Sequence, residues 1–97
     1  MSLFKKEPSS IRASTIQVMT HEEWLKAVNL ALNGDWHGAH NIAQQCDDTN
    51  ANWLHAALHK IEGDVWNSKY WYAKTAGHYF DEYAHSQDEF HAMLKIS

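Results

Sequence analysis

Ninety-seven residues carry eight Lys and Arg against twelve Asp and Glu, a formal charge of −4 with histidine neutral. That length predicts one domain with a single core and no large cavity. The acidic balance, with no basic run longer than Lys5-Lys6, argues against nucleic acid or an anionic membrane as partner. The one cysteine, Cys46, excludes an internal disulfide and a cysteine-based zinc site. With no apolar run of signal-peptide or membrane-span length, a cytoplasmic protein is expected.

Residues 1–19 read as an arm. Pro8-Ser9-Ser10 and Ser14-Thr15 favour turns, and Ile11, Ile16 and Val18 could pack in extended form. A single α-helical domain over 20–97 follows. Its first helix opens on Thr20-His21-Glu22-Glu23, a capping box with Thr20 as N-cap, and Met19 and Trp24 are placed as a hydrophobic staple. Trp24, Ala27, Val28, Ala31 and Leu32 keep the helical period as far as Gly34, which suits a left-handed stop, and Asp35 caps the next helix.

Helix two, Trp36 to about Gln45, has Trp36, Ala39, Ile42, Ala43 and Cys46 on its apolar side. Asp47-Asp48-Thr49-Asn50 breaks the pattern before helix three, about Ala51–Glu62, whose core stripe is Leu54, Ala57, Leu58 and Ile61. Gly63-Asp64 repeats the stop-and-cap pair ahead of a fourth helix from Val65 to about Ala76. A terminal helix over about 78–95 carries Tyr79, Tyr83, Phe90, Met93 and Leu94, with a break near Ser86. Its stripe of His78, Glu82, His85 and Glu89 reads as salt-bridged, solvated surface.

Sliding the sequence by 29 positions lays Trp24-Leu25 on Trp53-Leu54, Ala27 on Ala56, and Gly34-Asp35 on Gly63-Asp64. Two units result, about 20–48 and 49–77, each a helix, a Gly-Asp turn and a helix. Gly34, Asp35, Trp36, Ala39 and Ala43 make the hairpin resemble the tetratricopeptide type. In the second copy Val65 and Ser68 replace the aromatic and the alanine. Two units fall short of the three or more that a solenoid needs. The fold class expected is all-α, a compact bundle of about five helices containing two tetratricopeptide-like helix-turn-helix units.

At about 100° per residue, His55, His59 and Glu62 form one stripe beside the core stripe of helix three. Helix two does the same with His37, His40, Asn41 and Gln44, and helix four with Asn67, Tyr70, Trp71 and Lys74. Two histidines at i and i+4 can share a metal ion, with a glutamate one turn on as third ligand or general base. Ala56 stands where the zincin motif has its glutamate, so protease chemistry of that type is unsupported. The competing reading is that these imidazoles hold the helices together through buried hydrogen bonds. Trp24, Trp36, Trp53 and Cys46 are expected in the core, while Trp66 or Trp71 is left to face a partner or a pocket.

The strings Trp36-His37-Gly38-Ala39-His40 and Trp53-Leu54-His55-Ala56-Ala57-Leu58-His59, continuing through Glu62-Gly63-Asp64 and Asn67 to Tyr70-Trp71-Tyr72, resemble a family of small, uncharacterised microbial proteins. The resemblance covers roughly residues 34–77. It implies an all-helical fold and transfers no catalytic residue.

From the residues themselves, the leading expectation is a helical binding module with its site among His37, His40, His55, His59, Glu62, Asn67, Tyr70 and Trp71. Its ligand would be a small polar or anionic molecule or a peptide end. One alternative is a metal-binding protein or metal-dependent hydrolase. There His55, His59 and a helix-two histidine, His37 or His40, would hold an ion such as Zn²⁺, with Glu62 as general base. Another is a homodimer that buries Trp66 or Trp71. No Gly-x-Ser-x-Gly elbow or phosphate-cradling loop is present, which weighs against an enzyme, and no other cofactor is expected.

Overall fold

The computed structural model describes residues 18–96, so the arm expected over 1–19 lies outside the described residues except for Val18 and Met19. Those residues form an all-α bundle of five helices: α1 His21–Leu32, α2 Trp36–Ala43, α3 Thr49–Ile61, α4 Val65–Tyr72 and α5 Ser86–Leu94. None is long and apolar enough to cross a membrane.

Local chemistry sets the helix ends. Thr20 Oγ1 accepts from the Glu23 amide at 3.1 Å, the Thr20 amide donates to Glu23 Oε1 at 3.0 Å, and Met19 and Trp24 both enter the core. The two Gly-Asp pairs fold alike, with φ of +85° at Gly34 and +82° at Gly63. A side chain is strained in that left-handed region, and glycine is not. The Asp35 amide then reaches Leu30 O at 2.8 Å, and the Asp64 amide reaches His59 O at 3.0 Å. Each aspartate caps the following helix, on the Gly38 amide at 3.0 Å and the Asn67 amide at 3.4 Å. The tighter cap needs Gly38, because a Cβ there would stand 2.5 Å from Asp35 Oδ2.

The hub is α3. It begins at Thr49, earlier than the expected Ala51, because Asp48 caps it on the Ala51 amide at 3.3 Å and holds the Met19 amide at 3.0 Å with its other oxygen. Every residue from Ala51 to His59 is buried, with α2 and α4 packed along α3 and contacts to α1 and α5 as well. Ser68 Oγ donates to Ala56 O at 2.7 Å and is itself fully buried, which draws α4 close. Ile61, expected in the core, is 47% exposed in the last turn. α5 packs on α1, where Trp24 Nε1 donates to Met93 O at 3.0 Å.

Between α4 and α5 the chain departs from the sequence pattern. α4 ends at Tyr72 and the next helix starts at Ser86, so the helix expected from about 78 is turns until that point. The Thr75 hydroxyl donates to Tyr72 O at 2.7 Å and accepts from the His78 amide at 3.1 Å, while Gly77 takes φ +101°. Such side-chain bonds to nearby backbone compete with helix continuation. His78 lies flat on Trp53, centroids 3.6 Å apart, and its Nδ1 meets Glu82 Oε1 at 2.8 Å.

Glu89 corrects a second expectation. It is completely buried, not solvated. Its Oε2 accepts from Trp53 Nε1 at 2.8 Å and from the Tyr72 hydroxyl at 2.5 Å, and Oε1 lies 2.9 Å from Lys60 Nζ. Lys60 also donates to Phe80 O at 2.9 Å. Burial, then the bond to Glu89, raises the pKa of Tyr72, so the phenol remains a donor. Removing one partner of a buried ion pair strands the other, at a cost of about 3–5 kcal/mol. We therefore expect Glu89→Ala to lose about that much in urea unfolding and Glu89→Gln, which keeps the shape, to lose less. A loss under about 1 kcal/mol in Glu89→Ala would show that the pair contributes no more than an exposed one.

Candidate metal centre

The rotation of α2 is set by its packing on α1 and by one bond to α3. Trp36 Nε1 donates to Leu58 O on α3 at 2.7 Å. With that anchor, Ala39 and Ala43 are fully buried and His40 faces α3. α3 presents His55 and His59 one turn apart, 7% and 8% exposed. Ring centroids are 4.7 Å apart for His40–His55, 5.3 Å for His40–His59 and 4.8 Å for His55–His59. One ring nitrogen from each of the three histidines lies within 4.8 Å of the other two. Two indoles wall the cluster. Trp36 stacks on His40 at 4.6 Å and Trp71 on His55 at 4.1 Å.

Glu62 follows α3 as its C-cap, and its Oε1 lies 2.5 Å from His59 Nδ1. A carboxylate only accepts, so the proton sits on Nδ1, and in the neutral ring Nε2 keeps its lone pair. This is how outer carboxylates orient histidine ligands. Among the described residues no hydrogen bond engages the ring nitrogens of His40 or His55, unlike those of His59 and His78. Burial, then the neighbouring imidazoles of His40 and His59, lowers the pKa of His55 to about 3. Burial, then His59, also lowers that of His40, with Glu62 opposing. His55 and His40 are thus held in the neutral form that binds metals.

The other expected site residues divide. His37 is exposed, edge-on to Trp36 at 5.3 Å, and is not part of the cluster; of the two helix-two candidates it is His40 that joins His55 and His59. Asn67 Nδ2 donates to Asp64 Oδ2 at 3.1 Å and serves the turn. Tyr70 is 46% exposed and touches the site only through Trp71, edge-on at 5.2 Å. His59, Glu62 and the exposed Asp64 form a second close group, although Asp64 is engaged in capping α4. Trp36, expected in the core, packs half-buried against it and also walls the site. Its spacing of four from His40 was the available signal. An open, largely apolar groove of about 350 Å³ lies elsewhere, lined by Lys69, Tyr72, His78 and Phe80, and includes no residue of the histidine cluster.

Comparison of the chain with family models, with curated proteins and with solved structures finds no match. The assignment of function therefore rests on the site itself.

The histidine cluster sets a pH dependence. A folded-state pKa depressed below the unfolded 6.5 means that the unfolded chain binds the proton first as pH falls. The metal-free protein should hold its full stability above about pH 6.5 and lose it as pH falls toward 3. The slope should be at most about 1.4 kcal/mol per pH unit for each such histidine. Urea unfolding of the wild type and of His55→Ala between pH 7.5 and 5 checks this, and the variant should show the flatter profile. Parallel profiles would remove His55 as the source.

Proposed function

We propose that the protein is a three-histidine metal-binding module that takes a transition ion of the Zn²⁺ class through His40, His55 and His59. What carries the reading is the meeting of ring nitrogens from two buried histidines, His55 and His59, and the half-buried His40, with no hydrogen bond from the described residues to those of His40 and His55. Three neutral imidazoles with a fourth position left for water or ligand are a donor set that zinc uses. Nitrogens around tetrahedral zinc stand about 3.3–3.5 Å apart, given Zn–N distances of ~2.0–2.1 Å, so uptake draws the rings slightly together.

We assign Glu62 to orienting His59 rather than to general-base work, since its Oε1 is engaged on Nδ1. The paired Gly-Asp hairpins act as a tetratricopeptide-like scaffold for the centre. A single cysteine and an acidic composition suit a cytoplasmic setting.

The test is thermal unfolding of chelator-treated protein with Zn²⁺, Co²⁺, Ni²⁺ or Mn²⁺. An ion at 100 times its dissociation constant should stabilise by about 2.7 kcal/mol, which is several degrees or more in Tm for a chain this size. His40→Ala, His55→Ala and His59→Ala should each abolish the shift, and His37→Ala should keep it. Glu62→Gln should retain binding about 10–100-fold weaker. A shift that survives all three cluster variants, or no shift with any ion, would overturn the proposal.

A further inference from the structure

The apolar groove has its counterpart on the same helix. Lys69, Tyr72 and Ala73 form its α4 wall, with Tyr79 and Phe80 across from them. Trp66, seven residues before Ala73, is 76% exposed. Ala73 keeps helical geometry as the C-cap of α4, with φ −63° and ψ −18°. Seven residues are then nearly two turns, which puts the indole and the groove wall on one face of α4. Trp66 rests on Tyr70, centroids 5.8 Å apart and planes 13° apart, and most of its surface is left to solvent. A large exposed apolar group beside an apolar groove marks a contact surface.

The first hairpin serves as an internal control. Shifted by 29 positions, Trp66 falls on His37, Tyr70 on Asn41 and Ala73 on Gln44, all of them polar and exposed. The hairpin therefore folds with polar side chains at these places. The indole and the groove of the second hairpin answer to something outside it.

We propose that this face pairs with a second copy of the chain, with the two α4 helices antiparallel about a twofold axis near Tyr70. Each Trp66 then enters the groove of the other copy beside Ala73. Reversal about a point midway between Trp66 and Ala73 exchanges indole and groove, so both ends are filled at once and the assembly closes at two. The groove, about 350 Å³ and largely apolar, has room for an indole. Lys69 Nζ, 5.3 Å from the Phe80 centroid, supplies a cation beside the entering ring. The charges obey the same symmetry. Glu62 and Asp64 precede α4, and Lys74, whose Nζ lies 5.0 Å from the Tyr70 centroid, follows it. Antiparallel pairing brings each Lys74 to the carboxylates of the other copy, whereas parallel pairing would set like charge on like. One short helix and one groove make a small interface, so the pair is reversible, with a dissociation constant of roughly 10–100 µM.

The experiment is sedimentation equilibrium of the full chain with chelator present, which keeps the result independent of the histidine centre. The mass should rise from 11.2 kDa to twice that value as the protein is concentrated. Trp66→Ala removes the indole, and Ala73→Gln narrows the groove with the residue that the first hairpin carries at the matching place. Each should weaken the pair by about tenfold or more. Both positions are exposed, so circular dichroism should be unchanged in either variant. Lys74→Glu should weaken it about threefold at low salt and less at high salt.

A monomer mass up to about 1 mM protein would overturn the proposal, since a pair at the expected affinity would then be mostly dimer. A dimer left intact by Trp66→Ala or by Ala73→Gln would place the contact elsewhere and overturn it equally. Growth beyond the dimer would rule out the closed twofold arrangement.

Discussion

A carboxylate with no access to water must be matched by donors, and Glu89 gathers its donors from widely separated parts of the chain. Trp53 and Lys60 come from α3, and Tyr72 comes from the end of α4. Lys60 in turn binds a carbonyl in the segment between α4 and α5. The irregular stretch after Tyr72 and the final helix are thus tied to the hub by charge as well as by apolar contact. Bonds of this kind are directional, and each fails if a partner shifts by an ångström. They fix where α5 docks and how α3 is rotated, which burial alone would leave looser.

That rotation determines the chemistry. With one side of α3 committed to Glu89 through Trp53 and Lys60, His55 and His59 are turned toward α2 and α4. The Trp36 bond to Leu58 O then selects which histidine of α2 joins them. His37 and His40 differ by three residues, close to one turn, and a modest rotation of α2 would exchange their roles. The indole bond removes that freedom, and the stacking of Trp36 on His40 follows from the same placement. Trp71 closes the opposite side from a helix held down by Ser68.

Helix caps and tight turns decided within a few residues were legible in the sequence. The Thr20–Glu23 capping box and the two Gly-Asp turns involve partners three to five positions apart, and the structure has each of them. Choices made by distant partners were not legible. Glu89 read as solvated because its three partners lie 17 to 36 positions away. The one hint was its spacing of four from Met93, which put it on an apolar stripe. The preference for His40 over His37 required knowing that Trp36 bonds Leu58, 22 positions on. The helix expected after Gly77 failed because the Thr75 hydroxyl and His78 amide satisfy one another locally, and periodicity does not register that competition.

The two hairpins share the backbone of their Gly-Asp turns and little of their chemistry. Shifted by 29 positions, the cluster residues fall on side chains of a different kind: His40 on Lys69, His55 on Lys26, His59 on Leu30 and Glu62 on Asn33, while Trp71 falls on Ile42. Agreement between the copies is concentrated at the Gly-Asp turns, and disagreement at the surface where they meet. Scaffold and site are therefore written at separate positions. The histidine cluster could be rewritten by changing a handful of side chains without disturbing the two turns that shape the hairpins. Two like turns joined to unlike facing surfaces are a frame into which another set of side chains could be placed.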